Sequence, residues 1–415
     1  MVQGADHHFI RARISYFVSM TNARVKLKAK RARPFFAMHP WVFAGAIDAV
    51  EGDPKDGDVV DLVSHAGNFV ALGLYNSRSK IRVRLYAWSA EVALDAEFFR
   101  RQLESAIHLR RDILHFAAPK QACRLVYSEA DGLSGLSIDQ YDRYVVMQFT
   151  SLALAQRREL LADLLMELVR PDGIYLRTER GIGLLEGLEL QDGPLRGAAP
   201  TEPVVIEENG LRLQIDLTQG QKTGYYLDQR ENRLAVARLA VGRRMLDAFC
   251  YSGGFGLLAR CAGATSVLGI DGSVSALQLA RANAELNGLT NMVFEKADVF
   301  ERLDQLVEAN ERFGVIALDP PKFARSGSAV EEALRGYRRL LAQSLKLLEP
   351  SSILAMCCCS GLISREMLHD LLAQEASHSR RLLQILESRG AAADHPVSAV
   401  CPETNYLKCV VCRVV

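Results

Sequence analysis

Residues 247–256 read Asp-Ala-Phe-Cys-Tyr-Ser-Gly-Gly-Phe-Gly, and this stretch decides the fold. Residues 244–249 are typical of a strand, and the glycines that follow predict a tight turn opening a helix over 254–262. From Asp228 onwards, strand-like and helix-like segments alternate. Such alternation predicts a parallel sheet with helices on both faces, joined by a last strand within Tyr406–Val415.

Two carboxylates next to the first turns indicate a ligand site. Asp271 ends the second strand, where an acidic residue can accept hydrogen bonds from both hydroxyls of a ribose. Asp247 suits the amino group of an amino-acid cofactor and repels phosphate. A nucleotide-binding dehydrogenase shares these carboxylates, but its Gly-x-Gly-x-x-Gly turn is missing from this chain. The other alternative is a glycine-rich turn that only packs a helix against a strand.

The third and fourth strands end in residues that extend this site. Asp298 follows the third strand, where it can accept from an adenine amino group, cap the next helix, or do both. Residues 319–323, Asp-Pro-Pro-Lys-Phe, follow the fourth strand and predict a rigid wall where ligands of open α/β sheets bind. Asp319 in this wall is predicted to hold a planar base against the cofactor. A tight turn without a chemical role is the alternative.

The fifth strand ends in three consecutive cysteines, Cys357–Cys359. Because side chains alternate faces along a strand, the first two are predicted to belong to the core. Cys359, nearest the strand end, is the candidate nucleophile. Cys409 and Cys412 have a metal-like spacing without a second pair of ligands. They are predicted to be core residues, and no metal is expected.

The chain before residue 201 divides into three parts. Residues 1–19 show no clear period and are predicted to be an N-terminal extension, with Met20 as an alternative start. Residues 20–92 predict a small β-barrel, and residues 93–200 predict an α+β domain. A basic stretch without acidic residues opens the barrel; its members are Lys26, Lys28, Lys30, Arg31 and Arg33. Such a patch is enough to bind nucleic acid, and a solvated segment without a partner is the alternative.

The composition excludes several classes of protein. The 415 residues are 49% hydrophobic and carry a net charge of +1, which argues against a disordered chain and a histone-like polycation. Nine cysteines are too sparse for a disulfide scaffold and indicate a reducing compartment. The chain has no apolar run of the ~20 residues that span a bilayer. We therefore expect a soluble, cytoplasmic protein without a membrane partner.

These motifs resemble those of class I S-adenosylmethionine-dependent methyltransferases. More narrowly, the chain resembles the ribosomal RNA large subunit methyltransferase I family from about residue 21 to 415. Three further stretches carry the resemblance: His-Pro-Trp-Val-Phe at 39–43, Lys-Thr-Gly-Tyr-Tyr-Leu-Asp-Gln-Arg at 222–230 and Ala-Asp-His-Pro-Val at 393–397. The family's Ser-Cys-Ser triplet around the presumed nucleophile reads Cys-Cys-Ser here, at 358–360.

The resemblance implies an α/β fold with three domains. A Rossmann-like methyltransferase domain with a mostly parallel seven-stranded sheet is expected over residues 201–415. A PUA-like RNA-binding domain is expected over 20–92 and a central α+β domain over 93–200. The implied cofactor is S-adenosyl-L-methionine, and the implied partner is large-subunit ribosomal RNA, bound through the five basic residues. The implied cofactor-binding residues are Tyr225, Asp247, Phe249, Ser252, Gly253, Gly254, Asp271, Asp298, Asp319 and Pro320.

The expected reaction is methylation of cytosine C5, with Cys359 and Asp319 as catalytic residues. C5 is not nucleophilic enough to attack a methyl group unaided, so the Cys359 thiolate adds to C6, and Asp319 stabilises the adduct at N3 and the exocyclic amine. The base that removes the C5 proton stays open, with Glu403 and His395 as candidates. A guanine-N7 methyltransferase of the same fold and a non-catalytic RNA-binding ribosome-assembly factor are the alternatives. The oligomeric state is open and compatible with a homodimer.

Overall fold

The computed structural model contains two compact units, divided between Phe98 and Phe99. The described residues are 23–116, 118–218, 223–324 and 326–415. The predicted extension at residues 1–19 lies outside them. Within these ranges, no helix is both long enough and apolar enough to cross a membrane. The further domain boundary at residue 200 stays a prediction.

The first unit is built on a β-sheet. In its described part the strands are β1 (Arg24–Leu27), β2 (Trp41–Phe43), β3 (Ile47–Glu51), β4 (Val59–Val63), β5 (Phe69–Tyr75) and β6 (Ile81–Ala87), with helix α1 (Arg33–Phe36) after β1. Their order is β2-β6-β5-β4-β1-β3. Side chains alternate along β1, so Val25 and Leu27 are buried while Lys26 is partly exposed. Phe35 of α1 packs into the same core, and the β-rich module is confirmed.

The second unit begins with a mixed layer of helices and strands. Helix α2 (Ala96–His108) leads into it through a π-helical turn. The next elements are β7 (Ala122–Tyr127), β8 (Leu136–Tyr141), β9 (Tyr144–Phe149), α3 (Leu152–Ala155), α4 (Arg158–Leu168), β10 (Gly173–Arg177), α5 (Arg180–Glu186) and β11 (Gly193–Gly197). The strands pair in the order β11-β10-β9-β8-β7. A separate hairpin follows, formed by β12 (Val204–Glu208) and β13 (Leu211–Ile215).

The rest of the second unit alternates helices and strands, as the sequence predicts. The helices are α6 (Arg230–Arg238), α7 (Gly254–Cys261), α8 (Val274–Leu286), α9 (Val299–Glu308), α10 (Val330–Leu347) and α11 (Arg365–Ser379). The strands are β14 (Arg244–Ala248), β15 (Ser266–Asp271), β16 (Met292–Lys296), β17 (Phe313–Leu318), β18 (Leu348–Cys358), β19 (Leu383–Arg389) and β20 (Lys408–Val414). Among the described residues these strands form one sheet with the order β16-β15-β14-β17-β18-β20-β19. The first five run parallel, and β20 runs antiparallel to both of its neighbours.

Both faces of this sheet are covered by helices. All six residues of β17 are buried, which is typical of a parallel strand enclosed on both sides. Helices α9, α10 and α11 pack against one face, and α6 and α7 pack against the other. The doubly wound arrangement brings the carboxyl ends of β14 to β18 to one edge, where a ligand site is expected.

Candidate active site

A cavity of about 560 Å³ opens at the carboxyl edge of the sheet. This volume is in the usual range for a small-molecule or cofactor site. Nine predicted site residues line it: Tyr225, Phe249, Ser252, Gly254, Asp271, Asp298, Asp319, Pro320 and Cys359. The structure therefore brings together residues from six separate segments of the chain. Asp247 and Gly253, which were also predicted, do not line the cavity.

The turn after β14 approaches the cavity through unusual backbone conformations. Phe249, Tyr251 and Gly253 have φ angles of 63°, 48° and 81°, in the left-handed region that disfavours side chains. Gly256 lets α7 lie close to the sheet, because a Cβ there would meet Val267 Cγ1 at 2.7 Å. The predicted glycine-rich turn is thus a strained loop in the cavity wall.

Asp247 lies behind this turn and not in the cavity wall. Its side chain is fully buried, and its Oδ2 accepts a hydrogen bond of 2.8 Å from the Gly256 N–H. Oδ1 is buried without a hydrogen-bond partner among the described residues. Burial raises the pKa of this carboxyl to about 7, although the bond from Gly256 opposes the rise. Asp247 therefore holds the start of α7 next to the end of β14 through this hydrogen bond. Its contact with a cofactor amino group stays a prediction.

Two other predicted carboxylates lie in the cavity wall. The oxygens of Asp271 accept backbone hydrogen bonds from Tyr251 at 2.9 Å and from Ser273 at 2.8 Å, which fix its orientation. Asp298 caps α9, because its Oδ1 accepts from the N–H groups of Phe300 and Glu301. The capping role is therefore present. The role of Asp298 toward an adenine stays a prediction.

The other side of the cavity contains Asp319 and Cys359. Gln229 Nε2 donates to Asp319 Oδ1 at 2.9 Å. The Cys359 thiol lies 3.9 Å from the Pro320 carbonyl oxygen, so the nucleophile candidate and the proline wall are neighbours. Cys357 and Cys358 are buried in the core, as the strand alternation requires.

The stretch Tyr225–Arg230 contributes several lining residues, and the family resemblance implies that this stretch helps close the cofactor pocket. Besides Tyr225, its lining members are Tyr226, Asp228 and Gln229, which lie in or next to the 3₁₀ turn at Leu227–Gln229. Arg233 also lines the cavity and was not predicted.

Tyr251 and Tyr406 complete the wall on the two sides of the cavity. The Tyr251 ring meets the Tyr226 ring edge-on at 5.3 Å. The Tyr406 hydroxyl donates to Asp228 Oδ2. Tyr406 precedes the last strand, and no local pattern links it to a cavity formed mainly by residues over 75 positions upstream.

The two candidates for the proton-removing base lie outside the cavity wall. His395 is buried, its Nδ1 is 2.9 Å from Asp394 Oδ1, and its ring packs against Tyr127. Glu403 Oε2 accepts from the Cys401 thiol at 3.4 Å. Neither side chain lines the cavity, and the role of either residue as the base stays a prediction.

The predicted RNA-binding residues lie in the first unit. Lys26 is on β1 and Arg33 is in α1, while Lys28, Lys30 and Arg31 lie in the turn between them. All except Lys26 are exposed. The Lys28 amine donates to a backbone carbonyl at 3.1 Å. Their role toward RNA stays a prediction.

The residues present fit S-adenosylmethionine. Asp271 offers carboxylate oxygens to a ribose, and aromatic side chains such as Phe249 offer apolar surface. The buried Tyr225 hydroxyl has no hydrogen-bond partner among the described residues, and the Arg233 guanidinium lies 4.5 Å from the centre of its ring. An unpaired buried hydroxyl in a cavity wall is costly unless a ligand satisfies it. These groups would hold the amino-acid and nucleoside parts of the cofactor.

Comparisons with known proteins agree with this site. The family model of S-adenosylmethionine-dependent methyltransferases matches residues 194–401, and the model of the PUA-like domain matches residues 25–88. A putative S-adenosylmethionine-dependent methyltransferase from Streptococcus mutans has the same fold, with a TM-score of 0.81 at 20% identity over 94% of this chain and 99% of that one. A putative methyltransferase solved in complex with SAH gives a TM-score of 0.80 at 20% identity, over the same shares of the two chains.

Curated relatives are more similar in sequence. A protein of Aeromonas salmonicida named Ribosomal RNA large subunit methyltransferase I is 40% identical over 402 residues, which are 96% of this chain and 100% of the relative. A protein of Tolumonas auensis with the same name is 40% identical over 94% of this chain and 99% of its own length. The chain therefore belongs to the ribosomal RNA large subunit methyltransferase I family of S-adenosylmethionine-dependent methyltransferases.

Proposed function

We propose that this chain transfers a methyl group from S-adenosylmethionine to C5 of a cytosine in large-subunit ribosomal RNA. One observation carries the proposal: the Cys359 thiol lines the same cavity as the carboxylates that suit the cofactor. Methylation of C5 requires such a thiol, whereas methylation of guanine N7 does not, because N7 is already nucleophilic. The substrate class is supported by the name of relatives that are 40% identical.

The bound cofactor supplies an electrophilic methyl group. Cys359 makes C5 of the cytosine nucleophilic enough to attack this methyl group. The thiolate forms a bond to C6, and the electron pair of the C5–C6 double bond becomes available at C5. After methylation, loss of the C5 proton restores the double bond and expels the thiolate. The wall around Cys359 includes the carboxylate of Asp228, while the side chains of His395 and Glu403 are outside it.

Asp319 orients the cytosine. A chain of amides holds its carboxylate, since Asn232 Nδ2 donates to Gln229 Oε1 at 2.7 Å and Gln229 Nε2 donates to Asp319 Oδ1. A carboxylate fixed in this way can accept from the exocyclic amine of cytosine while Pro320 limits the base to one plane. Such preorganisation lowers the barrier, because the base does not have to be positioned during the reaction.

The first unit supplies affinity for the RNA. Lys28, Lys30, Arg31 and Arg33 are exposed on one short stretch without an acidic residue, which suits phosphate contacts. The target nucleotide must leave its stack to reach a thiol in the wall of this cavity.

Trapping of the covalent adduct tests the proposal. Large-subunit RNA is transcribed with 5-fluorocytidine and is incubated with the protein and S-adenosylmethionine. In this nucleoside fluorine replaces the C5 hydrogen that must leave as a proton, so the adduct with Cys359 cannot break down after methylation. We expect a protein–RNA complex that survives denaturing electrophoresis. Cys359→Ala should form no complex. Cys261→Ala, which removes an exposed thiol at the end of α7, should form as much as the unchanged protein.

Nucleoside mass spectrometry of unmodified RNA from the same reactions identifies the product. We expect one 5-methylcytidine, absent with Cys359→Ala. A Cys359→Ala protein that retains methyl transfer, or a product that is 7-methylguanosine, contradicts the C5 reaction and favours the N7 alternative. No methylated nucleoside at all, with S-adenosylmethionine still bound, favours the non-catalytic factor.

A further inference from the structure

A buried lysine lies next to the candidate nucleophile. Lys408 begins β20 and pairs with Cys358 in the antiparallel register between β18 and β20. Its side chain is only 4% exposed. The amine donates hydrogen bonds to the Ser360 carbonyl at 2.8 Å and to the Tyr406 carbonyl at 3.1 Å. The ammonium thus lies beside the turn that carries Cys359.

Among the described residues, no carboxylate forms an ion pair with this ammonium, although the more distant Glu366 also favours its charged form. No ion pair of the described ranges includes Lys408, and both of its hydrogen bonds go to neutral carbonyl groups. Burial lowers the pKa of the Lys408 amine, while the nearby thiols of Cys358 and Cys359, when ionised, raise it. A buried charge needs compensation, and a thiolate at the cavity is a group that can provide it.

Some groups around Lys408 and Cys359 favour the charged forms of these two side chains, and others disfavour them. They include Cys358 on β18, Asp319 after β17, Tyr226 just before the 3₁₀ turn, Tyr337 on α10, and Arg365 and Glu366 at the start of α11. Asp228 and Lys322 also line the cavity that contains Cys359. The Asp319 carboxylate disfavours a second negative charge in its neighbourhood. A cation that acts on Cys359 must therefore offset Asp319, and Lys408 is buried where solvent screens its charge little.

We propose that the Lys408 ammonium stabilises the thiolate form of Cys359 and so prepares it for attack on C6. Lys408 is a positioning residue in this scheme, because it acts through Cys359 and does not touch the base. The thiol proton leaves to solvent through the open cavity, and no oxidant or co-reactant is involved. The catalytic meaning of this charge pair rests on the proposed function, whereas the pair itself can be tested without RNA.

Alkylation by iodoacetamide measures the reactivity of Cys359 directly, because only the thiolate reacts rapidly. The rate is followed over a range of pH by peptide mass spectrometry, with exposed Cys261 as the internal standard. In the unchanged protein we expect Cys359 to reach half of its maximal rate at a lower pH than Cys261. In Lys408→Gln, which keeps an amide donor and loses the charge, alkylation at neutral pH should be about tenfold slower at Cys359 and unchanged at Cys261.

Lys408→Arg should keep most of the reactivity, since it keeps the charge. Calorimetric binding of S-adenosylmethionine shows whether each variant is folded. An unchanged pH profile of Cys359 in a folded Lys408→Gln protein overturns the proposal. If that variant does not fold, the unchanged protein still tests the proposal. The proposal is overturned if Cys359 reaches half of its maximal alkylation rate at the same pH as Cys261 or at a higher pH. If the alkylation results contradict the proposal but 5-fluorocytidine RNA is still trapped, the C5 reaction remains supported and the role of Lys408 is wrong. If Lys408 controls the alkylation of Cys359 but no RNA is trapped, the charge pair remains supported and the C5 reaction is not.

Discussion

Replacement of Asp247 by Asn tests the electrostatics of the cofactor site. The Asp247 carboxyl is fully buried, and its pKa is raised to about 7, so about half of the molecules without cofactor carry a proton there at neutral pH. S-adenosylmethionine brings an ammonium group, and a cation close to the carboxylate favours its charged form. Cofactor binding at neutral pH should therefore release about half a proton from Asp247.

Isothermal titration calorimetry measures this release. Binding of S-adenosylmethionine is compared in buffers that differ in ionisation enthalpy, and the observed enthalpy should vary linearly with that quantity. Asp247→Asn should remove the dependence on buffer. Asp298→Asn is the matched control, because it changes an exposed carboxylate of the same cavity that remains a good helix cap as Asn. Its proton release should equal that of the unchanged protein.

The same carboxyl affects stability without cofactor. Its folded pKa lies above the ordinary value of 3.8, so its contribution is complete at low pH and is lost as pH rises through about 7. The difference between the folded pKa and the ordinary value corresponds to about 4 kcal/mol of folding free energy between low pH and a pH well above 7. Chemical denaturation should show the unchanged protein losing stability relative to Asp247→Asn across this interval. A binding enthalpy independent of buffer, or an equal proton release by Asp247→Asn, would refute the reasoning.

Two further predictions concern the walls of the cavity. Asp271→Asn should weaken binding of S-adenosylmethionine by at least about tenfold, because one of the two backbone N–H groups now bonded to Asp271 would face an amide NH₂ group. Calorimetry measures the change, and an unaltered Kd would exclude Asp271 from the ribose site. Gly253→Ala should lower the free energy of unfolding by about 1–2 kcal/mol, because its φ of 81° is unfavourable for alanine. Urea denaturation measures it, and equal stability would contradict the strain attributed to this turn.

The architecture of the methyltransferase region follows from local patterns. The stretch at residues 266–271 is apolar and flanked by turn residues, and the strand β15 occupies those positions. Each helix between strands must cover a face of the sheet, so alternation alone predicts a parallel, doubly wound arrangement. The last apolar run suits a strand that pairs with the Leu382–Leu386 region, and β20 pairs with β19, which covers Leu383–Arg389.

The candidate site was only partly predictable, because its two sides depend on different ranges of sequence. Asp271, Asp298 and Asp319 follow strands directly, and the rule for parallel sheets brings such residues to one edge. Tyr406 reaches the cavity, and Lys408 reaches the turn that carries Cys359, only through the antiparallel pairing of β18 with β20, across a separation of about 50 residues. Asp247 differs from these carboxylates: its Oδ2 bonds to Gly256 behind the wall, and its contact with a ligand stays a prediction.

The cysteine at position 358 can be explained by packing. The family pattern has a serine before the nucleophile, and a neighbouring thiol in the cavity would compete with Cys359 for reagents. The side chains of adjacent strand residues point to opposite faces, and Cys358 is fully buried in the core cluster that contains Tyr337 on α10. A thiol is less costly than a hydroxyl in such an apolar place, because it loses less hydration. The departure from the family pattern therefore changes the core beneath the cavity and leaves Cys359 in the cavity wall, which also contains Cys250 from the turn after β14.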